Sequence, residues 1–205
     1  MRTLVIDCAT EACSVALFDG KLLIAGECRT LGRGHAEALV PMIAALPNEG
    51  RADRIAVALG PGSFTGVRVG LAAARALALA WQCALLGYPT LAIVAARALA
   101  NANVSGQGCT AAMTGGHGEW FVQSFAADGL PIAGLASLAP DDAAMIATHL
   151  IAGSQAEALV ARRGFGQALQ LLPDARDFIL LPATLIGSAD QPLYGRAPDA
   201  RLPAA

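Results

Sequence analysis

Aromatic side chains are scarce: Phe, Trp and Tyr make up 5% of the 205 residues. A core without them is assembled from Ala, Leu, Val and Ile, and a hydrophobic content of 55% is ample for one. Small side chains let helices and strands approach closely, but each buries less area, so stability leans on contact with a partner. Charge is also sparse. Charged residues are 15% of the chain, the formal net charge is -2, and no basic block exceeds the pair Arg162-Arg163. The chain therefore lacks the basic footprint that grips a nucleic-acid backbone, and work on RNA would need another component to hold most of it. The five cysteines, Cys8, Cys13, Cys28, Cys83 and Cys109, include no pair at the spacing of a zinc knuckle or a redox motif. An odd, scattered set reads as buried thiols in a reducing compartment. Long apolar runs are missing too. The first ends at Asp7, short of the roughly 7–15 residues of a signal peptide. The run 69–81 is interrupted by Arg75 and falls short of the ~20 residues of a membrane span. These absences predict a soluble, cytoplasmic protein.

The patterning that is present predicts an α/β chain. Residues 3–6, 13–18 and 21–28 read as an antiparallel β-unit, with a hairpin turn at Asp19-Gly20 and Asp7 and Thr10 at its first bend. A helix over 35–46 follows from Ala36, Leu39, Val40 and Ile43, with Pro41 expected to kink it or delay its start. A strand over 54–59 leads into Gly60-Pro61-Gly62-Ser63-Phe64-Thr65-Gly66-Val67-Arg68 and then a helix to Trp81. Thr90 is placed to cap a helix reaching Leu99. Residues 101–108 are polar and form the candidate lobe boundary. Beyond them come strands at 109–113, 120–125 and 150–152 and a helix over 155–161. A short helix starts at Pro140, Pro182 bends 175–185, and the tail from 187 is irregular or docked. The element order is doubled about 101–108, so two related α/β lobes are expected to meet at a cleft, 1–100 and 101–205.

Three places hold candidate chemistry. The glycine-rich segment runs strand, turn, helix, the arrangement in which free amides bind anions. It lacks the lysine of a P-loop and the spacing of a dinucleotide fingerprint. Gly62 and Ser63 are therefore candidate phosphate contacts, and the alternative is a tight turn that caps a core helix. Asp7 and Thr10 sit where an acid and a hydroxyl handle phosphate or magnesium, or where an aspartate merely closes its own turn. A small ATP-dependent phosphotransferase or hydrolase rests on that pair. Finally, the helix from His35 and the small-residue face of the helix to Trp81 suit either a subunit interface or core packing. Candidate interface residues are His35, Leu39, Arg68, Leu71, Ala74 and Arg75. The histidines assemble no metal motif, and Ser63 lacks the flanking glycines of a nucleophile elbow. No catalytic residue and no metal ligand is assigned.

The motifs resemble those of the TsaB family. Its opening is similar to Ile6-Asp7-Cys8-Ala9-Thr10-Glu11-Ala12-Cys13-Ser14-Val15-Ala16, with Cys8 in place of the usual hydroxyl residue. Its His-x-Glu-x-Leu-x-Pro pattern matches His35-Ala36-Glu37-Ala38-Leu39-Val40-Pro41, and its Gly-Pro-Gly-Ser-Phe-Thr-Gly-Val-Arg segment is complete at 60–68. The second half departs: Thr114-Gly115-Gly116 stands where Asp-Ala-Arg is expected, and Pro192-Leu193-Tyr194-Gly195-Arg196 has glycine for leucine. The resemblance implies a two-lobed actin-like ATPase/sugar-kinase-like (ribonuclease-H-like) fold. It implies a subunit that does not itself catalyse, pairing with the metal-bearing transferase TsaD and the ATPase TsaE. Their product is threonylcarbamoyladenosine at position 37 of tRNAs that read codons beginning with A. It further implies a homodimer when alone, contact with tRNA only through the complex, no cofactor for the isolated chain, and ATP or ADP with magnesium in the assembly.

Overall fold

The structure is a computed structural model that describes residues 1–101 and 106–195. Part of the expected lobe boundary at 101–108, and Arg196 with the prolines that follow it, lie outside those residues.

Strands β1 (Arg2–Asp7), β2 (Ala12–Asp19) and β3 (Leu22–Thr30) form an antiparallel meander. β1 and β2 are apolar and buried almost throughout, as strands covered on both faces must be. Gly20, with φ +56, supplies the left-handed residue of the hairpin between β2 and β3. Helix α1 (His35–Ala44) starts at His35 and runs through Pro41 without a break. The start is not delayed by Pro41, which lies on the solvent side, where the carbonyl that its missing N–H leaves unbonded is open to water. Then come β4 (Arg54–Ala58), α2 (Phe64–Trp81), β5 (Ala84–Tyr88) and α3 (Thr90–Asn101). Thr90 does not cap α3 through its side chain. Its hydroxyl is buried without a hydrogen-bond partner, while its N–H donates to the Gly60 carbonyl at 2.8 Å.

The second half repeats the plan. β6 (Cys109–Thr114), β7 (Trp120–Phe125) and β8 (Ala136–Leu138) form a second meander. α4 (Pro140–Ala143), β9 (Leu150–Ala152), α5 (Ala156–Arg163) and β10 (Gln167–Leu169) follow. Two 3-10 turns, Ala175–Leu180 and Ala183–Leu185, lead to β11 (Gly187–Ser188). The first sheet has the order β11-β5-β4-β1-β2-β3 and the second β10-β9-β6-β7-β8. Without β11 the two orders are the same, and so are the strand directions: each meander is extended by two parallel strands. This is the two-lobed actin-like architecture.

The lobes exchange their third helical element. α3 leaves the first sheet and packs on β6, β7 and β9, whereas the 3-10 turn Ala175–Leu180 leaves the second sheet and packs on β1, β2 and β3. The expected division at residue 100 is thus crossed by both elements and by β11, which joins the first sheet. The largest core cluster lies between the sheets and unites Val5, Phe18 and Tyr88 with Met113, Phe121 and Phe178. A second lies under α1 and α2, and a third under α4 and α5.

Candidate functional site

A cleft of about 310 Å³ opens between the lobes. Its first-lobe wall is the turn after β1, with Thr10 and Glu11, and the glycine-rich turn before α2, with Ser63 and Phe64. The second-lobe wall is the turn after β6, with Thr114, Gly115, Gly116 and His117, together with Phe121.

Asp7 does not line this cleft. It is completely enclosed behind the turn. Its Oδ1 accepts the Ala9 N–H at 3.0 Å, and its Oδ2 accepts the Tyr88 hydroxyl at 3.3 Å. Burial pushes its pKa up to about 7, with the Ala9 and Tyr88 hydrogen bonds pulling the other way. An acid so enclosed cannot organise magnesium in the cleft, so the phosphotransferase reading loses the residue that motivated it. Thr10 is also largely buried, and its Oγ1 accepts the Ala12 N–H at 3.2 Å. The pair forms an Asx turn and a hydroxyl-closed turn in succession.

The glycines of the 60–66 turn are explained by close approach of chain to chain. A Cβ on Gly62 would lie 1.9 Å from the Ala9 carbonyl oxygen, and one on Gly66 would lie 2.0 Å from that of Cys8. Ser63 N–H donates to Ala9 O at 2.7 Å, which pins the turn to the segment after β1. Ser63 Oγ then accepts the Gly66 N–H at 3.3 Å and caps α2, while the Val67 N–H goes to Ser63 O. The Ser63 amide, one of the expected phosphate contacts, and the Gly66 and Val67 amides beside it are thus committed within the chain. Among the described residues, the cleft lining carries no lysine or arginine and one carboxylate, Glu11. No group of three or more metal-ligating side chains occurs among the described residues either. The lining does not fit magnesium-bound ATP or ADP.

The second lobe reproduces the turn in reduced form. Thr114 ends β6 as Asp7 ends β1. Its N–H and hydroxyl meet Ser154 Oγ at 3.0 and 3.1 Å, and its Oγ1 accepts from Gln155 at 2.8 Å. Gly153, at φ +123, packs against the Ala112 carbonyl, 2.2 Å from its would-be Cβ, in the role Gly62 plays against Ala9. Substitution of the expected charged triplet thus leaves a neutral hydroxyl-amide network on this wall.

Of the residues expected at a partner surface, four are turned inward. His35 is buried, and its Nε2–H donates to the Thr10 carbonyl at 2.8 Å, fastening the start of α1 to the turn after β1. Leu39, Leu71 and Ala74 belong to the core beneath α1 and α2. Gly66, Gly70 and Ala74 face the strands because only small residues allow α2 to lie so close to them. Arg68 and Arg75 do face out. Arg68 sits over the Phe64 ring at 5.7 Å, and Arg75 donates to the carbonyls of Ala189 and Asp190 at 3.3 and 2.9 Å. Two large apolar side chains are left exposed instead: Leu79, 82% exposed, and Val40, 61% exposed, although Val40 belongs to the periodic set that predicted the helix. By length and composition alone α2 could cross a membrane, with a mean hydropathy of 1.2 over 18 residues, yet only 33% of it is buried. Its inner face packs on β4, β1 and β5, leaving an outer face on which Phe64, Ala72, Ala76 and Leu79 are exposed beside Arg68 and Arg75.

Four of the five cysteine thiols, Cys8, Cys28, Cys83 and Cys109, are held above their ordinary range, and Cys13 is drawn below it by its contact with Cys8. Cys8 and Cys13 lie 3.4 Å apart in the core, and the contact with Cys13, then burial, holds the Cys8 thiol up. Burial pushes Cys28 and Cys109 up to about 12. Cys28 and Cys83 are only half-buried, so the expectation of buried thiols describes three of the five.

Comparison with known proteins agrees with this architecture. A family described as TsaD, tRNA N6-adenosine threonylcarbamoyltransferase, matches residues 29–175. The tRNA threonylcarbamoyladenosine biosynthesis protein TsaB of Escherichia coli K12 is 40% identical over 100 residues, covering 46% of this chain and 43% of that protein. TsaB of Haemophilus influenzae is 43% identical over 84 residues, covering 38% and 35%. The matched region thus spans less than half the length of these curated relatives. Among solved structures, an uncharacterized Pseudomonas aeruginosa protein with similarity to peptidase YeaZ superposes with a TM-score of 0.77 at 28% identity, covering 95% of this chain and 99% of that one. YeaZ from Pseudomonas aeruginosa gives 0.73 at 29%, covering 88% and 89%.

Proposed function

The chain belongs to the tRNA N6-adenosine threonylcarbamoyltransferase family as a TsaB/YeaZ-like member with the actin-like, sugar-kinase-like fold, and on that premise we propose that it is a non-catalytic partner subunit in threonylcarbamoyladenosine biosynthesis. It pairs in the cytoplasm with a TsaD-type transferase, which carries the metal and the chemistry, and works alongside a TsaE-type ATPase. Transfer occurs on the adenosine beside the anticodon, and the tRNA is held by the complex.

The observation that carries this reading is the outer face of α2. Phe64, Ala72, Ala76 and Leu79 are exposed along it beside Arg68 and Arg75, with Val40 on the outer side of α1. Exposed apolar side chains gathered on one helix face, here bordered by two cations, mark an association surface. Two further features support the reading. Among the described residues the cleft wall has no lysine or arginine and a single carboxylate, Glu11, a poor set for phosphoryl transfer, and the net charge of -2 provides no footprint for tRNA alone.

Where no partner is present, the same face is available for a homodimer. The test is titration of the purified chain with its own TsaD by calorimetry, with size-exclusion chromatography in parallel. A stoichiometric complex that the Leu79→Glu exchange abolishes is expected. A chain that forms no complex overturns the proposal.

A further inference from the structure

The segment after β11 ties together two places described above separately, the outer face of α2 and the cleft. Gly187 and Ser188 pair with Gly87 and Leu86 at the edge of the first sheet. Ala189 is buried in the core cluster under α2. There Arg75 reaches over from the outer side of α2 and holds the Ala189 and Asp190 carbonyls. The chain then runs back toward the start of α2. The Leu193 N–H donates to Leu59 O at 2.7 Å, and Tyr194 packs on Phe64 with ring centroids 5.3 Å apart. Gly195 is wedged between the lobes: a Cβ there would lie 2.4 Å from Phe121 Cε1 and 3.1 Å from Pro61 Cβ. Phe64 and Phe121 are the two aromatic walls of the cleft.

The strap is thus anchored at one end by a cation on the helix face and at the other by both cleft walls. Its fastening is light. Leu193 is 39% exposed and Tyr194 47% exposed, and among the described residues two carbonyls and one amide carry the polar contacts between Ala189 and Tyr194. Segments held in this way open locally at small cost. Among the described residues the partners of Arg75 are the two neutral carbonyls, and a carboxylate would bind its guanidinium more strongly than they do.

We propose that residues 189–195 are a latch that couples the outer face of α2 to the interlobe cleft. An acidic side chain of the partner takes Arg75 from the strap, Tyr194 and Gly195 withdraw from Phe64 and Phe121, and the cleft opens. The partner half of this statement rests on the proposed function above; the latch itself does not. Linkage makes the coupling reciprocal, so whatever releases the strap at the cleft favours the partner on α2.

Hydrogen–deuterium exchange on the purified protein tests the latch from both ends. Arg75→Met removes the donors and keeps the aliphatic stem. Gly195→Ala forces the strap off Phe121 without touching α2. In both variants, amide exchange at Leu193 and across 60–67 is expected to rise together by about tenfold, the effect of losing one or two net hydrogen bonds, with β1 and β2 unchanged as the measure of intact folding. Faster exchange in the strap with 60–67 unchanged overturns the coupling, and so does no change in either. Calorimetry with the TsaD-type partner then separates the two proposals. Gly195→Ala is expected to bind severalfold more tightly than the unmodified chain, because its strap is already released. Equal affinity overturns the coupling. If the unmodified chain does not bind, the proposed function fails, while the exchange experiment still decides the latch.

Discussion

The Tyr88 hydroxyl lies 3.3 Å from Asp7 Oδ2, and both side chains are wholly enclosed at the junction of the two lobes. Tyr88 also reaches the Ile6 carbonyl at 3.2 Å. The acid that ends β1 is therefore a structural group sealed behind the cleft wall, with an aromatic donor from β5 as its lid. Burial, followed by the nearby Asp7, pushes the Tyr88 hydroxyl well above its ordinary range, so it stays protonated and can donate.

This enclosure makes stability depend on pH. The Asp7 pKa is raised from 3.8 to about 7, so the folded state binds a proton that the unfolded chain has released. The stabilisation is complete below about pH 4 and is lost as pH rises through 7, an effect on the order of 4 kcal/mol. Urea titrations of the native protein and of Asp7→Asn at pH 5 and pH 8 check this. The native protein is expected to lose stability between the two pH values and the variant to lose much less. Equal slopes would show that Asp7 is not the group responsible.

The glycine-rich turn separates packing from ligand binding. Gly62→Ala and Gly66→Ala each place a Cβ against a backbone carbonyl that cannot give way. Each is expected to cost more than about 3 kcal/mol or to prevent soluble expression. Gly164→Ala, with φ +80 and open space around it, is expected to cost about 1 kcal/mol. Comparable small losses at all three sites, by chemical denaturation, would contradict the close approach described here.

Ser63→Ala removes the cap of α2. Its hydrogen bond is long at 3.3 Å, which places the expected loss at the lower end of the capping range, about 0.5–1 kcal/mol. For a chain of this size that is a shift in Tm of roughly 2–4 °C or less. An unchanged Tm would mean that the cap contributes nothing.

Thr90→Val distinguishes a capping threonine from a buried hydroxyl without a partner. A cap would lose about 1 kcal/mol on substitution. With Oγ1 unpartnered, the near-isosteric valine is expected instead to be neutral or to stabilise by about 1 kcal/mol. Denaturation midpoints of the two proteins decide the sign.

Two leucines test the two faces of α2. Leu71→Ala, in the core, is expected to cost about 2–5 kcal/mol. Leu79→Glu, on the outer face, is expected to stay within about 0.5 kcal/mol of the native stability and yet lose self-association or partner binding in light scattering. Loss of stability at Leu79 with association intact would reverse the assignment of faces.

Local order was legible wherever the chain's own chemistry decides it. Asp19-Gly20 specifies the hairpin, the apolar runs specify β1, β2, β4, β6 and β7, and the glycine-rich motif starts α2. The strands β8, β10 and β11 were not legible, because two or three residues carry no period; a neighbouring strand makes them strands. The exchange of α3 and the 3-10 turn Ala175–Leu180 between lobes was hidden for the same reason, since it is a relation between sheets. Periodicity placed Leu39, Leu71 and Ala74 on one face of their helices but could not say whether sheet or solvent lay beyond it. The latch residues are ordinary in sequence and acquire meaning only when Arg75 and Phe121 are brought beside them.

By itself the sequence determined the family, the doubled α/β plan and the turn at 60–68, because those depend on local conformational preference and on a motif read residue by residue. Only the tertiary structure decided what that turn is for. Its glycines admit the carbonyls of Cys8 and Ala9, Asp7 is closed off behind them, and Phe64 and Leu79 are left exposed on the outer side of α2 beside Arg68 and Arg75. Each of these depends on which atoms meet across the fold, a fact that no single stretch of chain contains.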